Sequence, residues 1–170
     1  MNLEERAERE AWKAAPIPDL VRYLVDTCHL ECRQDMAKVE THAELAVLEA
    51  GQRRPDLIEI RNQITRFCSG MRAHLTLEER NLFPSLLYRS SGSIPEIAGE
   101  TLEPLRQLLE GDHEVEAALL RSIRGLSAAM DSPADSLGPQ GRLQESIRVL
   151  SRNLQRHLYM ENQILFPRTR

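Results

Sequence analysis

A chain of 170 residues, 28% charged and only 4% aromatic, is long enough for one domain with a true core, and its composition favours helices over sheets. A net charge of −4 and a pI near 5.8 leave no basic footprint for nucleic acid, and no apolar run approaches the roughly 18 residues that a membrane span needs. Three cysteines are too few for a disulfide framework, and the charged opening from Met1 to Glu10 does not read as a secretion signal, so a cytoplasmic protein is expected.

The chain divides into a short charged N-terminal arm, 1–18, with Trp12 as its one candidate anchor, and a helical domain, 19–170. Asp19 is a plausible N-cap for a first helix that runs to Ala50, where Gly51 and Pro55 stop it. Its apolar stripe reads Val25, His29, Cys32, Met36, Val39, Ala43, Ala46 and Ala50, in alternating steps of four and three. A second helix starts near Pro55 and Asp56 with Leu57, Ile60, Ile64, Phe67, Met71, His74 and Glu78 on its stripe, and Gly92 and Pro95 mark the linker after it. The third spans Thr101 to Ser127 with Leu102, Leu105, Leu109, His113, Leu120 and Ile123 inward. After a loop over Asp131–Gly141, the fourth carries Leu143, Ile147, Leu150, Leu154, His157, Glu161 and Ile164. Four such helices predict an all-α, up-down-up-down four-helix bundle.

The stripes put polar groups where the rest of each helix has Leu, Ile, Phe or Met. His74-Leu-Thr-Leu-Glu-Glu-Arg-Asn-Leu-Phe-Pro84 returns 83 residues later as His157-Leu-Tyr-Met-Glu-Asn-Gln-Ile-Leu-Phe-Pro167. Each copy places a histidine and a glutamate four residues apart, one above the other on a helix face. A buried carboxylate needs a cation or strong donors, so the layer either binds metal or forms a mutually hydrogen-bonded polar layer. The repeat extends backwards. His29 lies 45 residues before His74, and His113 lies 44 before His157, which makes two helical hairpins with matched ligand sets. At about 1.5 Å of rise per residue, each hairpin returns its first histidine to the level of its His/Glu pair. The expected site is pseudo-two-fold, built from His29, His74, Glu78, His113, His157 and Glu161. Such a donor set suits iron, with manganese and zinc compatible by ligand type.

The pattern H…H-x-x-x-E…H…H-x-x-x-E, carried by His29, His74-Glu78, His113 and His157-Glu161, resembles the hemerythrin HHE cation-binding domain over residues 19–168. The fourth-helix copy and the Glu110-Gly-Asp-His113 segment look most like the RIC branch, di-iron proteins for repair of iron centres. The resemblance implies a bridging role for Glu78 and Glu161 between two irons, with the four histidines as terminal ligands. Two departures stand out. RIC proteins carry a small N-terminal domain with a cysteine pair, where this chain has a short arm. They also carry a further histidine where this chain has Ala50, so one protein ligand fewer and a more open metal are expected.

Among possible substitutes, His42 sits at the stripe edge and reads as a boundary histidine, while Glu40, Glu44 and Glu49 fall off the stripe onto a solvated face. Tyr23 and Tyr159 are expected to pack rather than gate the site. Cys28, Cys32 and Cys68 read as small hydrophobes, and Met36 and Met71, with both Leu-Phe-Pro closures, read as core. The leading functional expectation is a non-haem di-iron protein that handles NO, O2 or peroxide and draws on an electron donor the sequence does not identify. In its specific form it binds or reduces NO, or donates iron to damaged iron–sulfur clusters under nitrosative or oxidative stress. The other classes are a reversible O2 carrier and an iron or oxygen sensor module.

Overall fold

A computed structural model of the chain describes residues 10–90, 97–128 and 138–169. All its regular structure is helical, with no strand among the described residues. Ile17–Tyr23, a π-helical turn Leu24–His29 and Leu30–Ala50 follow without a break and are together called α1. Likewise α2 joins Pro55–Leu77, the π turn Glu78–Leu82 and Phe83–Ser90. Ile97–Ala128 is α3, and α4 joins Pro139–Tyr159, the π turn Met160–Leu165 and a 3₁₀ turn Phe166–Arg168. Pro55 and Pro139 occupy the start of their helices, where a missing N–H costs nothing.

Cross-helix pairs fix the directions. Arg33 meets Glu79, Glu40 meets Arg72 and Glu44 meets Arg61, so α1 and α2 run antiparallel. Ser122 with Gln63, and Asp112 with His74, set α3 against α2 in the same sense. Arg156 with Glu31 and Asn153 with Asp35 do so for α4 and α1, and Gln144 with Ser127 and Asn162 with His113 for α4 and α3. Exposed pairs of this kind contribute little energy each. The stripes contribute more, since fully burying a Leu, Ile or Phe side chain is worth about 1.5–3 kcal/mol.

That burial falls into two apolar clusters. One holds Met36, Val39, Ile60, Phe67, Met71, Ile147, Leu150 and Leu154. The other holds Leu20, Leu24, Phe83, Leu109, Met160, Ile164 and Phe166. The histidines and glutamates of the stripes belong to neither and sit, on every helix, where one cluster gives way to the other. No described helix is long and apolar enough to cross a membrane.

Three expectations change. On α1 the inward residue is Leu24, fully buried, and Val25 is only half-buried. The π turn is the reason: its i→i+5 bonding adds a residue to one turn, shifts the stripe by one position and puts Cys28 and His29 both inside. α3 begins at Ile97 rather than Thr101 and takes Pro104 into its interior. α4 begins at Pro139, so the loop expected over Asp131–Gly141 ends earlier. Its residues up to 137, like Gly92, Pro95 and 1–9 of the arm, lie outside the described residues. Trp12 does anchor, stacking on Tyr23 with ring centroids 4.4 Å apart.

Candidate metal centre

Among the described residues α1, α2 and α4 each carry a π turn, and each turn contains one polar residue of the stripes: His29, Glu78 and Glu161. Such turns widen the helix locally and turn adjacent residues inward. On α2 and α4 the pair at i and i+4 straddles the switch from α to π, with His74 and His157 in the last α turn.

All six expected residues converge. Glu78, Glu161, His29 and His157 are fully buried, at 0% exposure, and His74 and His113 are almost so. His29 Nε2 stands 3.4 Å from Glu78 Oε2 and 3.5 Å from Glu161 Oε1, and His157 Nε2 is 2.9 Å from the same Glu161 oxygen. On the other side, His74 Nε2 lies 3.3 Å from Glu78 Oε1, and His113 Nε2 lies 3.2 Å from Glu161 Oε2. The donors thus form two groups, His29/Glu78/His157/Glu161 and His74/Glu78/His113/Glu161, in each of which the candidate ligand atoms all lie within 4.8 Å of one another. Both glutamates are common to the two groups, each offering one oxygen to each.

The chemistry of this layer fits cations. His29 Nε2, His157 Nε2 and all four carboxylate oxygens of Glu78 and Glu161 are buried and make no hydrogen bond. Orphaned polar atoms are expensive in a protein interior, and six converging on one spot leave a metal as the natural partner. His113 Nε2 and His74 Nε2 are 2.9 Å apart, a contact that two N–H groups cannot share. Electrostatics agree. Burial would raise the Glu161 carboxyl, yet His157, His113 and His29 hold it well below the usual carboxylate range. Burial would lower His74, yet Glu78 and Glu161 push it up to about 9, and the carboxylates raise His29 and His113 in the same way. Neutral imidazole and carboxylate donors in this ratio suit iron and related first-row metals.

Outer contacts set the rings. Glu79 Oε1 accepts from His29 Nδ1 at 2.7 Å, and Arg33 clamps the same carboxylate through two bonds of 2.9 and 3.1 Å. Asn162 Oδ1 accepts from His113 Nδ1 at 2.9 Å. Phe83 packs on His29 with centroids 5.5 Å apart, and Phe166 stacks on His113 at 5.8 Å. The Leu-Phe-Pro closures read as core therefore also wall the rings of His29 and His113.

Several residues lay outside the sequence reading. Glu79, Arg33 and Asn162 were not singled out, and only the direction of an imidazole Nδ1 could have marked them. Glu116 was missed as well. It is buried one turn after His113 on α3, and burial pushes its carboxyl up to about 7, with Asp112 adding to the rise and His74 and Arg66 opposing it. Its side chain fits because Gly70 faces it, where a Cβ would stand 2.1 Å from Glu116 Oε1.

Ala50 requires a correction. Twenty-one residues beyond His29 on one helix is about 30 Å along its axis, and Ala50 is buried in the apolar cluster with Leu57, Ile60 and Leu143. Nothing at that position can reach the site, so no vacancy follows from the alanine. His42 is half-buried and lines a surface cavity with Asp35, Lys38 and Arg142, away from the two groups. Glu44 and Glu49 are exposed, and Glu40 pairs with Arg72. Tyr23 and Tyr159 pack beside the second apolar cluster. The three cysteines are buried free thiols, and burial pushes Cys28 up to about 11 and Cys32 to about 12, with Cys68 raised too. Thiols so protonated make poor nucleophiles or ligands.

Comparison with known proteins points the same way. The chain is 26% identical over 164 residues to the iron-sulfur cluster repair protein YtfE of Musicola paradisiaca, covering 96% of this chain and 70% of that one. It is 23% identical over 149 residues to the iron-sulfur cluster repair protein ScdA of Staphylococcus haemolyticus, covering 88% of this chain and 65% of the relative. A YtfE of Escherichia coli is 23% identical over 174 residues, with 98% and 72% covered. The chain spans about two thirds of the length of these relatives. The family model of the hemerythrin HHE cation-binding domain matches residues 20–169, and the chain belongs to that family.

Proposed function

We propose that this chain is a non-haem di-iron protein that engages NO and takes part in iron–sulfur cluster repair under nitrosative or oxidative stress. The observation that carries the reading is the shared pair of carboxylates, each with one oxygen in either donor group. In this reading Glu78 and Glu161 would both help to hold each of two ions, with His29 and His157 holding one and His74 and His113 the other. The architecture that goes with it is an up-down-up-down four-helix bundle, residues 19–170, with a pseudo-two-fold axis through the site and residues 1–18 as an arm.

Bound iron would supply redox change and a place for a diatomic ligand. The chain supplies the rest. Each ion would be held by two imidazoles and one oxygen from each glutamate, a small set of protein donors that would let the metal also take a small molecule. The apolar clusters on either side, with Phe83 and Phe166 against the rings, exclude water from the layer. The repair role is supported by the names of the relatives, iron-sulfur cluster repair proteins, which favour it over reversible O2 carriage. The electron donor is a partner this reading requires.

Anaerobic titration of the reduced, iron-loaded protein with NO tests it. The optical spectrum is expected to change in proportion to iron, with nitrous oxide in the headspace if the protein turns over. An unchanged spectrum and no gas would remove NO from the account.

A further inference from the structure

The two donor groups match in their inner ligands and differ one layer out. Residues 83 apart correspond in the two hairpins: Glu78 to Glu161, Phe83 to Phe166, and Glu79 to Asn162. In both halves the residue after the shared glutamate takes the Nδ1 of a first-helix histidine. In one half it is a carboxylate, Glu79, 2.7 Å from His29 and gripped by Arg33. In the other it is a neutral amide, Asn162, 2.9 Å from His113.

The remaining rings do not cancel that difference. His157 Nδ1 is buried with no partner. Asp112 Oδ2 stands 3.6 Å from His74 Nδ1, beyond hydrogen-bond range, on a side chain 42% exposed and hence screened by water. An imidazole that donates to a carboxylate becomes a more basic, better oriented ligand than one that donates to an amide.

We propose that Glu79, held by Arg33, is a positioning residue that acts through His29 to make the two metal positions unequal: the ion at His29/His157 is held tightly, and the ion at His74/His113 is the exchangeable one. This rests on the two-metal reading above. Position and charge are both involved, since Arg33 fixes where the carboxylate points while His29 carries its effect to the metal.

Anaerobic iron(II) loading of the whole chain against chelators of graded strength, with metal analysis at each step, reads the two affinities. The wild type is expected to take two ions in two separated steps. Glu79→Gln keeps the shape and an acceptor oxygen but removes the charge, so the tight step should weaken roughly ten- to hundredfold while two ions still bind. The converse variant, Asn162→Asp, should tighten the loose step and bring the two together from the other side. It carries the test if Glu79→Gln does not fold. Mössbauer spectra of the loaded proteins give a readout that mere structural support would not move. Two distinguishable iron environments in the wild type should approach one another in each variant. The inference is overturned if both variants leave the separation of the steps unchanged, or if Glu79→Gln weakens both steps equally. A wild type that takes fewer than two ions would instead overturn the two-metal reading itself.

Discussion

Replacement of Glu161 by alanine is expected to empty both metal positions, although each keeps both of its histidines. Glu161 Oε1 faces His29 and His157, and Oε2 faces His113, so one truncation removes a donor from each group. Loss of an outer hydrogen-bond partner alone weakens a metal by roughly ten- to hundredfold, and loss of a shared inner ligand should exceed that for both ions. The substitution also takes away the anion that balances three buried imidazoles, and breaking a buried pair of this kind costs about 3–5 kcal/mol. Glu161→Gln separates the two effects. It retains the volume and one oxygen, so the fold should survive while the paired metal content does not. Glu78→Ala should behave likewise, because its two oxygens face His29 and His74 in the same divided way. Metal analysis and thermal melting of the three variants check both halves of the expectation.

Stripping the metals from the wild type is the second large effect. An ion present at about a thousandfold over its dissociation constant stabilises a fold by about 4 kcal/mol, so two ions give roughly twice that. For a domain of this size the melting temperature should fall on the order of 20 °C on chelation. The drop should depend on pH with a definite sign. In the metal-free chain His74 is raised from 6.5 to about 9, so the stability it contributes is complete below 6.5 and is lost as pH rises through 9. Metal binding runs the other way, because the ring nitrogen must shed its proton to bind. The gap between loaded and stripped melting temperatures should therefore widen from slightly acid to alkaline pH. A gap that narrows over that range would show that the layer is held by its own protons and not by metal.

The six converging residues were legible because a buried His or Glu interrupts an otherwise apolar stripe, and because the same interruption occurs twice. The helices were legible through their steps of four and three and through Pro55 and Gly51, whereas Asp19, expected as the first N-cap, lies in the first turn of a helix that already starts at Ile17 after Pro16. The π turns were not. An i→i+5 bond has no local preference, and it persists only where packing around a site over-determines it. Reading α1 as a straight α-helix consequently chose Val25 over Leu24. Glu79, Arg33 and Asn162 were hidden for another reason: they act on the far nitrogens of the rings, which a helical wheel does not distinguish from solvent. Glu116 depends on a space across the helix pair that only Gly70 provides. Ala50 misled because a resemblance was carried along the chain by residue count, whereas the helix axis carries that residue out of reach.

The central claim is a carboxylate-bridged pair, and iron analysis with Mössbauer spectroscopy on the loaded wild type tests it most directly. The account predicts two irons per chain with magnetically coupled signals, and loss of that coupled pair in both Glu78→Ala and Glu161→Ala. One iron or none in the wild type, or two irons retained in both variants, would contradict it.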